Sequence, residues 1–131
     1  MKKVSAEELA EILEKHGKFV RGEEGGELAD LVDADLSGAW MVGADLTGAR
    51  LAGSDMSGAT LAGATLTDAD MARSTLRGAT LTDATMAGAD LTDADMSGSV
   101  MSGATLARST LTDATMAGAD MRGADMTGVR R

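Results

Sequence analysis

The sequence predicts an all-β solenoid, a coiled column closed at its N-terminus by a short α-helical cap. Three observations predict it. From residue 29 onward Leu or Met falls at every fifth position without a gap. Two residues before each stands Ala or Ser, and two residues after each stands Gly, Asp or Arg. Residues 1–28 share none of this and carry the marks of a single helix. The chain therefore divides into a cap, residues 1–28, and a repeat column, residues 29–131.

The cap comes first. Ser5 followed by Glu8 forms a capping box, and Val4 with Leu9 has hydrophobic-staple spacing. Leu9, Ile12, Leu13 and His16 recur on one helical face. Gly17 is expected to stop the helix as its C′ residue. His16 is the sole histidine. A catalytic base needs an oriented partner, so a place at the helix end beside Leu13 reads as structural. The cap is expected to cover the apolar first coil, because solenoids need capped ends.

The column follows. Its inward series is Leu31, Leu36, Met41, Leu46, Leu51, Met56, Leu61, Leu66, Met71, Leu76, Leu81, Met86, Leu91, Met96, Met101, Leu106, Leu111, Met116, Met121 and Met126. A period of five fits no α-helix, since five steps of about 100° rotate each Leu off the last. It fits no flat strand either, since five is odd and successive Leu residues would change face. Within a unit, though, Ala-x-Leu alternates by two. The next two residues, often Thr-Gly or Ser-Gly, suit a corner, where Gly tolerates the backbone angles and Asp can bond its own backbone. Straight sides joined by corners of one hand wind into a coil with Ala and Leu/Met inside. Nine of the column residues are Met, read as flexible core filling.

The units "ADLSG" (34–38), "ADLTG" (44–48), "ADMSG" (94–98) and "ADMTG" (124–128) resemble the consensus of the pentapeptide repeat proteins. The stretch "AEILEKHGKFVRGEEGGELADL" resembles the leader that precedes the repeats in bacterial and phage members. The resemblance implies a right-handed, four-sided β-helix with four units per coil. Twenty units make about five coils, a column roughly 24 Å tall at ~4.8 Å per coil. The string "LTDATMAGAD" occurs at 81–90 and again at 111–120. Six units separate the copies, so at four units per coil they lie on opposite sides. A duplication blind to coil phase argues against a shaped site there. Such regularity also fits an engineered or consensus repeat protein with no biological partner.

Composition excludes several classes. Formal net charge is −9, which argues against direct nucleic-acid binding through phosphates and favours a basic protein partner. Cysteine is absent, so neither disulfides nor thiolate metal sites form. No signal peptide is evident, and no run approaches the roughly 18 apolar residues that span a bilayer. A cytoplasmic protein without membrane contact is expected.

With four units per coil, Asp70 stacks on Asp90 and Asp93 on Asp113, Arg50 falls between Asp30 and Asp70, and Arg73 lies one coil below Asp93. These carboxylates read as a solvated acidic face with ion pairs worth about 0–1 kcal/mol each, and as a candidate contact surface together with the outward Trp40. No catalytic residue, cofactor site or metal site is expected. Thr65, Thr85 and Thr105 form one ladder, and Thr60 and Thr80 another that ends at Val100; the partner row is broken, with Thr67 but Ala87 and Ala107. That array gives a minor ice-binding alternative. The leading reading is a non-catalytic scaffold that binds protein. The alternative is a DNA-mimicking inhibitor or protector of a type II topoisomerase, a role the resemblance implies for some members. After Met126 the sequence reads "TGVRR", with no element to cap the column. Met121, Ala124, Met126 and Val129 are expected at an open end where two copies pair as a homodimer.

Overall fold

Every unit of the column makes the same turn. The Ala34 amide donates to the Leu31 carbonyl (3.2 Å), and the residue between them at the third position, Asp33, has φ 58°. The second position, Val32, does not have positive φ. This is the type II pattern. It recurs at all twenty corners of a computed structural model that describes residues 1–131. Thirteen of the twenty left-handed residues are Gly. Seven are not: Asp33, Asp68, Arg73, Asp83, Asp93, Arg108 and Asp113.

Residues twenty apart pair in parallel, from Asp30 with Arg50 up to Thr110 with Arg130. Four corners per twenty residues make a four-sided coil. Each column residue from Leu31 to Leu111 donates its amide to the coil above, as Leu31 does to the Arg50 carbonyl (2.8 Å). The bridge residue returns a bond downward, as Arg50 does to Ala29 (3.0 Å). These bonds run between coils and not along a strand, so the column needs no long strand.

The core is one stack. From Leu31 to Leu111 the column residues are at most 4% exposed. Met116, Met121 and Met126 pack against this stack but are only half-buried. They point inward, but no coil lies above them. Ala fits the position two before each Leu because the chain passes close there. Ser also stands there: Ser74 turns its hydroxyl onto the Met71 carbonyl (2.7 Å) and Ser99 onto Met96 (2.8 Å), whereas the buried Ser54 and Ser109 hydroxyls have no hydrogen-bond partner.

The cap consists of β1 (Lys2–Lys3) and α1 (Ala6–Val20), and β1 pairs in parallel with β2 (Ala34–Asp35) on the underside of the first coil. The Ser5 hydroxyl accepts the Glu8 amide (3.1 Å), and the Glu8 carboxylate accepts the Ser5 amide (3.4 Å). The helix does not stop at Gly17. It continues to Val20, and Gly22 with φ 70° takes the C′ role. The Glu23 amide donates to Lys18 (2.8 Å) and Gly22 to Phe19 (3.1 Å), a Schellman ending. The extra turn stacks Phe19 against His16, with ring centroids 6.1 Å apart. At Gly26 a Cβ would strike the backbone of Phe19 and Lys18, so only glycine lets the chain cross under α1.

His16 fastens the cap. It is fully buried, accepts the Ala29 amide at Nδ1 (2.9 Å) and contacts the Thr47 carbonyl through Nε2 (2.8 Å). No helix is long and apolar enough to cross a membrane.

Candidate contact surface

The aspartates divide into two structural groups. Nine stand immediately before a column residue, and each accepts the amide two residues ahead. Asp70 accepts Ala72 (3.2 Å), and Asp90 accepts both the amide (3.0 Å) and the hydroxyl (2.6 Å) of Thr92. Asp30, Asp35, Asp45, Asp55, Asp95, Asp120 and Asp125 do the same. The carboxylate thereby fastens the first residue of the corner, as an Asx turn does. The other five, Asp33, Asp68, Asp83, Asp93 and Asp113, are the left-handed corner residues themselves. Every aspartate of the column therefore has a local backbone reason to be there.

These positions also set where charge lies. The first side carries Asp30, Arg50, Asp70, Asp90, Thr110 and Arg130. The second carries Asp35, Asp55, Thr75, Asp95 and Thr115, and the corner between them holds Asp33, Arg73, Asp93 and Asp113. The third and fourth sides are uncharged through their middle coils, with Thr60, Thr80 and Val100 on one and Thr65, Thr85 and Thr105 on the other. Acid is thus gathered on one half of the column.

Ion pairing relieves part of it. Arg50 reaches Asp30 (3.0 Å) and not Asp70, and Arg77 reaches Asp95 (2.8 Å). Arg73 forms no ion pair with Asp93. Asp70 and Asp90 are neighbouring rungs, and neither is paired with a cation. The Ser97 hydroxyl and then the Arg77 guanidinium hold the Asp95 carboxyl down at about 2. No group of three His, Asp or Glu side chains is arranged to hold a metal ion.

Trp40 opens the third side at its lower end and is 74% exposed. Beside it lies a groove of about 550 Å³ between α1 and the first coil, lined by Val4, Ala6, Leu9, Leu13, Ala39 and Trp40. The sequence marks Trp40 as outward but gives no sign of the groove, which exists only because α1 crosses beneath the coil. At the other end Met121, Ala124, Met126 and Val129 are half-buried. The Met116, Met121 and Met126 amides lack the acceptor that Met96 finds in Thr115 (2.7 Å).

The chain matches the family model for pentapeptide repeats (8 copies) over residues 29–68, 59–98 and 89–128. No curated protein matches it. Among solved structures it is similar to the pentapeptide repeat protein Rfr23 from the cyanobacterium Cyanothece 51142, at 26% identity and TM-score 0.50. That match covers 77% of this chain and 58% of the other, so the chain spans less than two thirds of that relative's length. It is also similar to alr5209, a pentapeptide repeat protein from Nostoc PCC 7120, at 23% identity and TM-score 0.51, covering 98% of this chain and 75% of the other. The family fold is a right-handed quadrilateral β-helix, a generally non-catalytic scaffold. With its four-sided coils and an unbroken repeat from residue 29 to 128, this chain belongs to the pentapeptide repeat family.

Proposed function

We propose that the chain is a non-catalytic scaffold whose acidic half binds a basic protein surface. The observation that carries this reading is the segregation of charge. Nine aspartates against Arg50, Arg73 and Arg130 face outward on two adjoining sides and the corner between them. A field of one sign over a rigid, flat surface raises the encounter rate with an oppositely charged partner and weakens with added salt. The test is affinity capture with the intact chain, with Asp70→Lys/Asp90→Lys, and with Thr65→Lys/Thr85→Lys. A protein held by the intact chain and the threonine variant, and lost by the aspartate variant, supports the reading. Equal retention by all three overturns it.

The same acidic half supports a second reading, a mimic of duplex DNA that acts on a type II topoisomerase. A gyrase supercoiling assay separates the two: unchanged activity at micromolar protein removes the mimic. The threonine ladders support an ice-binding reading, which absence of thermal hysteresis removes. We further propose that the open edge formed by residues 112–131 pairs with the same edge of a second copy.

A further inference from the structure

The fold divides the methionines of the column into two populations. Met41, Met56, Met71, Met86, Met96 and Met101 are at most 1% exposed. Met116, Met121 and Met126 are half-buried, so solvent reaches them. These three supply all but one of the inward residues of the last coil. The fourth, Leu111, is only 4% exposed, because the chain returns over it and its amide donates to the Arg130 carbonyl (2.6 Å). The inward series carries one methionine in each of the first two coils, two in each of the next two and three in the last. Thioether sulfur is thus richest in the one layer that no further coil covers. Cysteine is absent, so no thiol of the chain competes for an oxidant.

The backbone separates the two populations as well. The amides of the sealed methionines are all used, as Met41 donates to Thr60 (2.8 Å), Met96 to Thr115 (2.7 Å) and Met101 to Asp120 (2.7 Å). An oxygen added to sulfur there would be a buried acceptor without a donor, which is costly. In the last coil the Met116, Met121 and Met126 amides have no backbone acceptor, and solvent is at hand. That layer can take up an added oxygen without stranding it, and the sealed layers below cannot. The sealed sulfurs react only when stacked coils open, which the inter-coil hydrogen bonds oppose.

We propose that Met116, Met121 and Met126 form a peroxide-modification site that switches the end of the column from apolar to polar. In each step the thioether sulfur attacks one oxygen of hydrogen peroxide. An S–O bond forms as the O–O bond breaks, and the proton of the transferred hydroxyl passes to the departing oxygen. Sulfur is oxidised by two electrons to the sulfoxide, and the peroxide is reduced to water. A methionine sulfoxide reductase resets the site: two thiols become a disulfide and the oxygen leaves as water. The switch rests on the reading of this edge as the surface that pairs with a second copy. Peroxide reaches the layer in the unpaired chain. A sulfoxide is polar and chiral, and a second apolar layer laid over three of them buries acceptors without partners. Oxidation therefore shifts the population from paired to single chains.

The test uses the full 131-residue chain, in which Met1, 77% exposed on the cap, is an internal reference for free reaction. After hydrogen peroxide, peptide mass spectrometry reads the oxygen gained at each methionine, and sedimentation at high micromolar concentration counts copies. Met116, Met121 and Met126 are expected to gain one oxygen each, at least about tenfold faster than Met41 to Met101. The oxidised chain is expected to sediment as a monomer with its circular dichroism unchanged. The reduced chain, and the oxidised chain after treatment with reductase and dithiothreitol, are expected to sediment as dimers. Met116→Leu/Met121→Leu/Met126→Leu keeps an apolar layer of similar volume and is expected to stay dimeric in peroxide. Oxidation spread evenly over the nine column methionines, loss of the β signal, an oxidised chain that still pairs, or a leucine variant that peroxide dissociates overturns the switch and leaves the pairing intact. A reduced chain that is already monomeric overturns the pairing itself, and the switch with it.

Discussion

At the corners, backbone angle and side chain oppose each other. Arg73 and Arg108 hold φ 60°, a region that costs an L-residue about 1–2 kcal/mol. Arg73→Gly is therefore expected to stabilise the chain by up to about 1 kcal/mol, since glycine removes the strain but adds unfolded-state freedom. Gly98→Ala is expected to have the opposite sign and a similar size, although a Cβ there meets nothing within 4 Å. Urea unfolding of both variants checks the pair, and the same sign in both would refute the corner assignment. Inward positions are more demanding. Leu81 is fully buried and Thr82 is the half-buried residue after it. Leu81→Asp buries an unpaired charge and is expected to lower the melting temperature far more than Thr82→Asp. At Asp120, the Arg122 side chain (2.7 Å) and then its amide (3.2 Å) hold the carboxyl down at about 2. Its contribution is present above the unfolded value near 3.8 and lost as pH falls through about 2. Carboxyl NMR is expected to show a midpoint near 2 that moves toward 3.8 in Arg122→Ala.

At the scale of elements, α1 and the coils are stabilised in different ways. The helix is marked locally by its capping box, its acidic first turn and Gly22 at its end. It is held in place by Leu9 and His16, both buried against the first coil. Ser5→Ala removes the acceptor for the Glu8 amide and is expected to cost about 1 kcal/mol. Amide exchange should rise in residues 6–9 while the coils keep their protection; uniform loosening of the whole chain would contradict it. A single side of a coil has no such autonomy. It holds one bridged residue, and its hydrogen bonds go to the coils above and below. Stability of the column therefore accumulates by stacking, as in other solenoids.

At the scale of the whole molecule, the two ends differ. The lower end is covered by β1 and α1, whereas the Met116, Met121 and Met126 amides face upward without acceptors. An unpaired edge above a half-buried apolar layer invites pairing. Sedimentation of the 131-residue chain at high micromolar concentration is expected to show a dimer, and Met126→Lys a monomer. A monomeric intact chain would count against end-to-end pairing, and a dimer that survives Met126→Lys would place the contact elsewhere.

The two copies of "LTDATMAGAD" separate what sequence determines from what tertiary structure decides. Asp83 and Asp113 occupy the same place in the string and adopt φ 58° and 59°. The Ala84 amide closes its turn on Leu81 at 3.0 Å, and Ala114 closes the same turn on Leu111 at 3.0 Å. Five letters suffice for this, because the turn depends only on local sterics and one short hydrogen bond. Met86 and Met116 are also equivalent in the string, yet one is fully buried and the other half-buried. The Met86 amide finds Thr105 in the coil above (2.7 Å), and Met116 has no coil above it. Likewise the sequence marks Ser5, the helical face and the outward Trp40, but not the extra turn past Gly17, the groove beside Trp40 or the clamp between His16, Ala29 and Thr47. Those features join residues from the cap to residues in the coil. They arise only when α1 is laid across the first coil, because burial and long-range hydrogen bonds depend on what lies opposite a residue and not on its neighbours in the chain.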